Sequence, residues 1–484
     1  HLPRRLAAIG PRTRVPWPAG IAVGTVVAIL AATVDVRGAI GFSSFGVLAY
    51  YAIANASAWT LTRAEGRPPR VVPALGLAGC ASLGGTSANK AKVLVVGGGY
   101  GGATVSKYIR LLSDHSIDVM MVEPNTSFVS CPVSNLVIGG QKTMADITNP
   151  YTGLSSRHGV RVVHDSVTAV DTAKKTATLA GGSTVSYDKL VLAPGIDFMW
   201  DQIQGLREAH TAGQILHAWK AGPETMALRR QLEAMRDGGT YAIVIPEAPY
   251  RCPPGPYERA SVIAAYFKKA KPKSKVLILD GNPDVTSKGP LFKKAWQDLY
   301  GGMVEYRPQH KAVAVNAKTN TVEFEVQGDV KADVLNVLPV MRAGSLAVQT
   351  GLANANNRWC HVNFLNFEST AAKDVHVIGD AIQVAQGMPK SGHMANSHAK
   401  VTAAAIVAEL QGIEINPHPM VTNVCMSYVD DAHVIHVASV HEFVPTQKTF
   451  RTIGGSGGVS DVRSDLEGRY AEAWAKNIWA DTLM

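Results

Sequence analysis

The sequence predicts an α/β protein with two parallel-sheet βαβ units, a closing C-terminal portion and hydrophobic helices in front. Three observations predict it. "KVLVVGGGYGGATVSKYIRLL" reads as strand, Gly-rich turn and helix. "YAIVIPEAPYRCPPGPYERASVIAAYFKKA" followed by "KVLILD" reads as strand, turn, helix and strand again. Ahead of both lie two uncharged apolar runs, Trp17–Val34 and Gly38–Thr62. The two βαβ patterns are Rossmann-like, dinucleotide-type units.

Length and charge bound the rest. A chain of 484 residues suits two to four domains. The net charge of +9 is uneven: residues 1–80 hold eight Arg, no Lys, one Asp and one Glu, so +6 sits there. The remainder carries no basic–aromatic run, which excludes a nucleic-acid surface and gives the expectation of no nucleic-acid partner. The shift from Arg-only to Lys-rich usage suggests two pieces of different origin.

Each uncharged run in residues 17–62, 18 and 25 residues long, can span a hydrocarbon core of about 30 Å, which needs roughly 20 residues. Flanking arginines, Arg12, Arg14, Arg37 and Arg63 among them, would set orientation. Membrane contact through this segment is therefore expected, with a pair of buried soluble helices as the other reading. "GAIGFSSFGVLAYYAIANASAWTLT" resembles a transmembrane part of amino-acid permeases of the amino acid–polyamine–organocation superfamily, over about residues 1–80. Two spans are too few for a transport pathway. "LAGC", ending in Cys80, matches a lipobox, and "ASLGGTSANKA" reads as a flexible linker, placing a junction between a permease-like segment and an enzyme.

In the first unit Gly97, Gly99 and Gly102 fit G-x-G-x-x-G. The first glycine permits the tight turn, the second lets backbone approach a pyrophosphate, and the third lets helix and strand pack closely. The strand "DVMMVEP" ends at Glu123, where a carboxylate can hold an adenosine ribose. Two later segments point to a flavin. "YDKLVLAPGID" carries Gly195 and "DVHVIGDA" carries Asp380. They resemble the second and third FAD signatures of the two-dinucleotide-domain flavoproteins related to glutathione reductase, which implies that Asp380 holds the ribityl chain.

The second unit departs from that pattern. Its turn carries Cys252, Pro253, Pro254 and Pro256 where glycines should cradle a phosphate. Proline has no N–H and fixes φ, so nicotinamide binding is expected to be poor, leaving the turn free to present Cys252. The chain has five cysteines, Cys80, Cys131, Cys252, Cys360 and Cys425, and no C-x-x-C. That speaks against a metal cluster or a local redox pair; each cysteine otherwise reads as a small buried hydrophobe. His393 and His398, five apart on one helix, have the wrong spacing for a metal pair and read as exposed helix residues.

"CPPGPYERAS", "CPVSNLVIGG", "HAWKAG", "FESTAAKDVHVIGDA", "MPKSGHMANSHAKVTAAAIV", "VTNVCMSYV" and "YAEAWAKNIWADTLM" together resemble the flavoprotein subunit of flavocytochrome c sulfide dehydrogenase, over about residues 90–484. The resemblance implies covalent FAD attached through Cys131, a redox-active disulfide of Cys252 and Cys425, an active-site acid at Glu258 and an aromatic neighbour of the flavin at Trp474. It assigns nothing to Cys360, and Pro132 stands where the pattern has an aromatic residue. It implies oxidation of hydrogen sulfide to sulfur, a c-type cytochrome subunit as partner and a periplasmic location, here with a possible membrane anchor.

The expected organisation is a hydrophobic segment (1–80), a linker (81–91), an FAD domain in two parts (92–203 and 333–412), a second nucleotide-type domain without the phosphate fingerprint (204–332) and a C-terminal domain (413–484). Two other readings stay open: a sulfide:quinone oxidoreductase, and a membrane-anchored flavin-binding protein without catalysis.

Overall fold

The structure, a computed structural model, describes residues 90–484. The uncharged runs, Cys80 and most of the linker lie outside the described residues. In chain order the elements that position the site are β1 (Lys92–Val96), α1 (Tyr100–Leu112), β2 (Asp118–Val122), α2 (Ser134–Gly139), β3 (Arg161–Val163), β4 (Lys189–Leu192), α3 (Leu206–Thr211), α4 (Pro223–Ala234), β5 (Thr240–Ile245), α5 (Gly255–Ala270), β6 (Lys275–Asp280), α6 (Gly289–Tyr300), β7 (Val304–Arg307), β8 (Val334–Val337), β9 (Val362–Asn363), β10 (Glu368–Ser369), β11 (Val375–Val377), α7 (Gly392–Gln411), β12 (Met420–Tyr428), β13 (Val434–Val444), β14 (Thr449–Thr452) and α8 (Asp465–Leu483).

The larger sheet runs β9-β10-β11-β4-β1-β2-β3, with β11, β4, β1, β2 and β3 mutually parallel. Its central strands are apolar along their whole length: Val93, Leu94, Val95, Leu190, Val191 and Leu192 are all buried. A parallel sheet covered by helices on both faces requires continuous apolar runs rather than alternation. Helices α1 and α7 pack together on it, pinned where Asn396 Nδ2 donates to Thr104 Oγ1 at 2.9 Å.

The smaller sheet runs β7-β6-β5-β8, all parallel. Strand β8 is the point of difference from the sequence reading, which gave residues 333–412 to the FAD domain. Tyr241 to Val244 of β5 pair with Val334 to Val337, so the smaller sheet takes one more strand before the chain returns. The return is an antiparallel crossing of Ile196–Phe198 with Met341–Ala343.

The C-terminal portion is a β-meander, β12-β13-β14, followed by α8. Ser464 caps α8 by accepting the Glu467 N–H. Among the described residues no helix is long and apolar enough to cross a membrane.

Candidate functional site

The first glycine turn has the shape its sequence demands. Gly97 sits at φ +100°, and a Cβ there would lie 2.4 Å from Ala193 O. A Cβ at Gly102 would lie 1.7 Å from Gly97 O, so only glycine lets α1 approach β1 this closely. Around Gly99 a Cβ would meet nothing within 4 Å; the space beside it is open. Glu123 Oε2 accepts the Gly98 N–H at 2.7 Å, and Oε1 accepts the Asn125 N–H at 2.9 Å. The carboxylate at the end of β2 thus already fixes the turn, with lone pairs to spare.

From this turn opens a cavity of about 490 Å³. Gly99, Cys131, Gly195, Cys252, Glu258, Asp380, Cys425 and Trp474 all line it. Of the residues singled out in the sequence, Gly97, Gly102 and Glu123 stand behind the wall and shape the turn. Cys360 is buried elsewhere, beside β-bridge partner Ile382.

The residues present fit an FAD. The open side of Gly99 at the N-terminus of α1 suits a pyrophosphate. Asp380 Oδ1 is buried without a hydrogen-bond partner, as a carboxylate awaiting a hydroxyl would be. Burial pushes the Asp380 carboxyl up, while Arg251 and Lys390 act the other way. Lys390 is itself buried over the Trp359 ring, 3.6 Å from its centroid, and burial lowers its ammonium to about 7.

Cys131 follows the short strand Ser127–Val129, on the turn into α2. Its Sγ accepts the Ala221 N–H at 3.5 Å. Pro132 also lines the cavity, and Val133 is held at φ +77°, a costly conformation for a β-branched residue. The loop is therefore built against local preference, and it places the Cys131 thiol at the cavity.

The proline turn is a helix start with no donor left over. Pro253, Pro254 and Pro256 have no N–H. The Cys252 N–H donates to Lys390 O at 2.8 Å, and the Gly255 N–H to Cys252 O at 2.9 Å. Proline is tolerated in the first turn of a helix because those N–H groups have no helical partner. At the end of β6, Asp280 is fully buried and accepts from Tyr257 Oη at 2.7 Å, Asn282 Nδ2 at 2.7 Å and Tyr306 Oη at 3.1 Å. Neither the turn nor this carboxylate is free for a second nucleotide. Cys252 has φ +58°, which turns its side chain out of the helix start and into the cavity.

Cys425 comes from β12, 173 residues later, to the same cavity. The disulfide that the sequence resemblance implied is not formed in this structure: Cys252 and Cys425 are free cysteines, as are Cys131 and Cys360. Burial pushes the Cys252 thiol up, and Cys425 and Glu258 push it further. Burial also raises Cys425, against Lys288, which pulls it down.

Glu258, on the first turn of α5, is buried. Its Oε1 accepts the Tyr428 N–H at 2.9 Å, and its Oε2 accepts Asn135 Nδ2 at 2.8 Å. Burial raises its pKa, and these hydrogen bonds oppose the rise. Trp474, on α8, faces the cavity with Nε1 toward His393 Nδ1 at 3.4 Å. His393 Nδ1 also accepts the Val424 N–H at 3.1 Å. His398, expected to be exposed, is fully buried against Phe367, because α7 lies between the large sheet and the meander.

Sequence reasoning missed Lys288 and Arg259. Lys288 sits before α6 in the left-handed region at φ +58° and sends its ammonium inward, to Cys425 O at 3.0 Å, Ser427 Oγ at 2.8 Å and Ile435 O at 3.1 Å. Arg259 is fully buried one residue after Glu258, donating to Asn135 Oδ1 at 3.0 Å, Asn336 Oδ1 at 2.9 Å and the carbonyls of His217 and Ala218. A lone Lys before "GPLF" carried no sequence signal; an Arg inside a buried βαβ helix did, because a guanidinium there must be paired.

Comparison with known proteins agrees with this layout. Residues 91–226 match the family described as pyridine nucleotide-disulphide oxidoreductase. Residues 225–339 match the central part of the sulfide dehydrogenase [flavocytochrome c] flavoprotein chain. Residues 417–483 match the flavin-binding part of flavocytochrome c sulphide dehydrogenase. A Chlorobaculum thiosulfatiphilum sulfide dehydrogenase [flavocytochrome c] flavoprotein chain is 61% identical over 46 residues, 10% of this chain and 94% of that sequence. The mitochondrial sulfide:quinone oxidoreductase of Dictyostelium discoideum is 23% identical over 338 residues, 68% of this chain and 73% of that one. The solved sulfide:quinone oxidoreductase of Aquifex aeolicus superposes with a TM-score of 0.66 at 18% identity, covering 81% of this chain and 91% of that one. A different stretch of similarity joins the chain to uncharacterised transporters of Mycobacterium tuberculosis and Mycobacterium bovis, 68% identical over 83 residues, 17% of this chain. The chain spans about a fifth of the length of those transporters.

Proposed function

Because residues 90–484 are a flavin-binding protein of the sulfide dehydrogenase and sulfide:quinone oxidoreductase type, we propose that the chain oxidises hydrogen sulfide to sulfur at Cys252 and Cys425, beside FAD held through Cys131, and delivers the electrons to a c-type cytochrome subunit in the periplasm. The observation that carries this reading is the convergence of Cys252, Cys425, Glu258 and Cys131 on the cavity that opens from the glycine turn.

In the proposed cycle the pair starts oxidised, as a disulfide. Hydrosulfide attacks one sulfur, the S–S bond breaks, and the other cysteine leaves as a thiolate while a persulfide remains. Sulfide is oxidised and the disulfide is reduced by the same two electrons. Attack requires an accessible sulfur and a leaving thiolate that the site stabilises. The buried Lys288 ammonium supplies positive charge beside Cys425, and Glu258, with its raised pKa, holds or takes the proton of the attacking sulfide. Arg259 keeps Asn135 and the wall at Ala218 in place, and Trp474 with α8 limits water. Restoring the disulfide requires the outer persulfide sulfur to leave as elemental sulfur, with one proton and two electrons removed; when bound, FAD would be the oxidant that takes those electrons and would pass them on singly.

The similarity to a flavocytochrome flavoprotein chain at 61% identity supports the cytochrome as acceptor. The sulfide:quinone oxidoreductase relatives favour the second reading, a quinone acceptor. The test is anaerobic sulfide titration of the purified flavoprotein, followed by addition of cytochrome c or a soluble quinone. Bleaching by sulfide that Cys252→Ser and Cys425→Ser both abolish, with flavin retained, is the expected outcome. Undiminished bleaching in either variant would remove the cysteine pair from the mechanism.

A further inference from the structure

The stretch "HAWKAG", His217 to Gly222, supplies no reacting group to the proposed cycle. In the fold it is a loop between α3 and α4 whose backbone is pinned from several sides. His217 O accepts from Arg259 Nη1 at 2.8 Å, and Ala218 O from Arg259 Nη2 at 2.6 Å. Trp219 O accepts from Arg251 Nη2. The Trp219 N–H donates to His217 Nδ1 at 2.9 Å, and the Gly222 N–H to Thr225 Oγ1 at 3.1 Å. Ala218 is held at φ +44°, a costly conformation for a residue with a Cβ.

One donor of this loop is aimed at a sulfur. The Ala221 N–H donates to Cys131 Sγ at 3.5 Å. Cys131 meets it from a second strained loop, the one with Val133 at φ +77°. Two segments 90 residues apart are thus each built against local preference, and they meet at this sulfur. Strain of that kind persists only where the surroundings over-determine it, and it gathers at functional sites.

Lys220, the residue before that N–H, adds charge. Its ammonium is 3.8 Å from Asp197 Oδ1 and 5.2 Å from the centre of the Phe198 ring. That carboxylate lies beyond the roughly 2.7–2.9 Å of a charge-assisted hydrogen bond, so the ammonium is not committed to it. Burial lowers the Lys220 ammonium and Asp197 holds it up; Arg251 then opposes it and the Cys131 sulfur supports it. The reactive form of a cysteine is the thiolate, and a neighbouring cation favours that form. A backbone N–H donating to the sulfur acts in the same direction, as a hydrogen bond to the charged form does.

We propose that Lys220 and the Ala221 N–H activate Cys131 as a nucleophile, for attachment of the flavin. The inference rests on the attachment through Cys131 proposed above and deepens it. The step balances within the site. A bond forms between Cys131 Sγ and the flavin 8α carbon, and one C–H bond of that methyl group breaks. The electron pair enters the flavin ring together with the thiol proton and the methyl proton, so the product is attached, reduced flavin and no outside oxidant is consumed. Arg259 and Arg251 are positioning residues for this step, because they hold the carbonyls that fix the loop.

The test uses the full chain carrying Cys252→Ser and Cys425→Ser, which excludes disulfide exchange with Cys131, prepared free of flavin. Two rates are measured: alkylation of the part-exposed Cys131 by iodoacetamide, followed by peptide mass mapping, and formation of acid-stable flavin after anaerobic addition of FAD, followed by intact mass. Lys220→Met should slow both by about tenfold, the loss of thiolate that one nearby cation is worth, and Lys220→Arg should restore them. The Lys220 side chain is half-exposed, so the Met variant should keep the parent's melting temperature; Lys220→Gln repeats the measurement if it does not. Equal rates in the parent and the uncharged variants overturn the proposal, as does a loss that Lys220→Arg fails to restore. Alkylation that depends on Lys220, with no acid-stable flavin formed even in the parent, supports the activation of the thiol and removes only the attachment reading.

Discussion

The Lys288 ammonium donates to the carbonyl of Cys425 at 3.0 Å from a fully enclosed position. Burial lowers this ammonium to about 8, while Cys425 and Glu258 hold it up. Below about pH 8 its charge stabilises a Cys425 thiolate, and above that pH the support is lost. Sulfide-dependent flavin bleaching should therefore show a falling limb near pH 8. Lys288→Met should remove the limb and slow bleaching about tenfold, as a one-unit loss of thiolate stabilisation would. An unchanged limb in the variant would detach Lys288 from the reaction.

Glu258→Gln should slow bleaching by at least about 100-fold, the lower range for a lost proton-transfer group. Its amide would also face the Asn135 amide, costing about 1–3 kcal/mol. The pH dependence gives an independent check. The folded pKa of Glu258 lies above its ordinary value of 4.5, so its contribution to stability is full below 4.5 and declines as pH rises through the folded value. Denaturation midpoints measured across that window should decline less in the Gln variant than in the parent.

Cys131 faces the cavity from a strained loop. If it carries the flavin covalently, acid precipitation leaves the yellow colour with the protein, and Cys131→Ser releases it to the supernatant. Complete loss of flavin from the unmodified chain on acid treatment would show that Cys131 only lines the site.

Gly99 and Gly102 should separate cofactor binding from folding. Gly99→Ala places a methyl in open space at φ −71°, so the apo-protein should keep its melting temperature while flavin affinity falls. Gly102→Ala collides with Gly97 O and should destabilise the chain by several kcal/mol even without flavin. Equal apo-protein melting temperatures for the two variants would contradict this division.

NADH should not bleach the flavin at micromolar concentration. Between Cys252 and Pro256 every N–H is either missing or already bonded, and Asp280 is saturated by two tyrosines and Asn282. Saturable reduction by NADH in a stopped-flow trace is the contrary result.

The glycine turn and its strand were legible in the sequence because their constraints are local: a positive φ at Gly97 and a close approach at Gly102 admit little else. The boundary near residue 333 was misplaced because "VLNV" is apolar throughout, and any strand buried in a parallel sheet reads that way, whichever sheet it joins. Glu258 and Cys425 were reached only through resemblance to a family; spacing alone does not bring residues on α5 and β12 together. Lys288 was invisible for a related reason. Its partners, Cys425, Ser427 and Ile435, are about 140 residues away, and only the folded meander makes a buried lysine tolerable there.

The cavity wall is assembled in a fixed temporal order during synthesis. Every strand of the two parallel sheets precedes residue 378 in the chain, whereas β12, Cys425 and Trp474 on α8 follow it. Because N-terminal portions of a chain fold as they emerge, the glycine turn and the Cys131 loop can form before β12 and α8, which complete the cavity wall, have been made. Chain order thus allows cofactor loading and closure to be separate events. A chain stalled after α7 should display the cradle without its cover, which makes the nascent polypeptide, rather than the finished protein, the state in which a bulky flavin has the freest access.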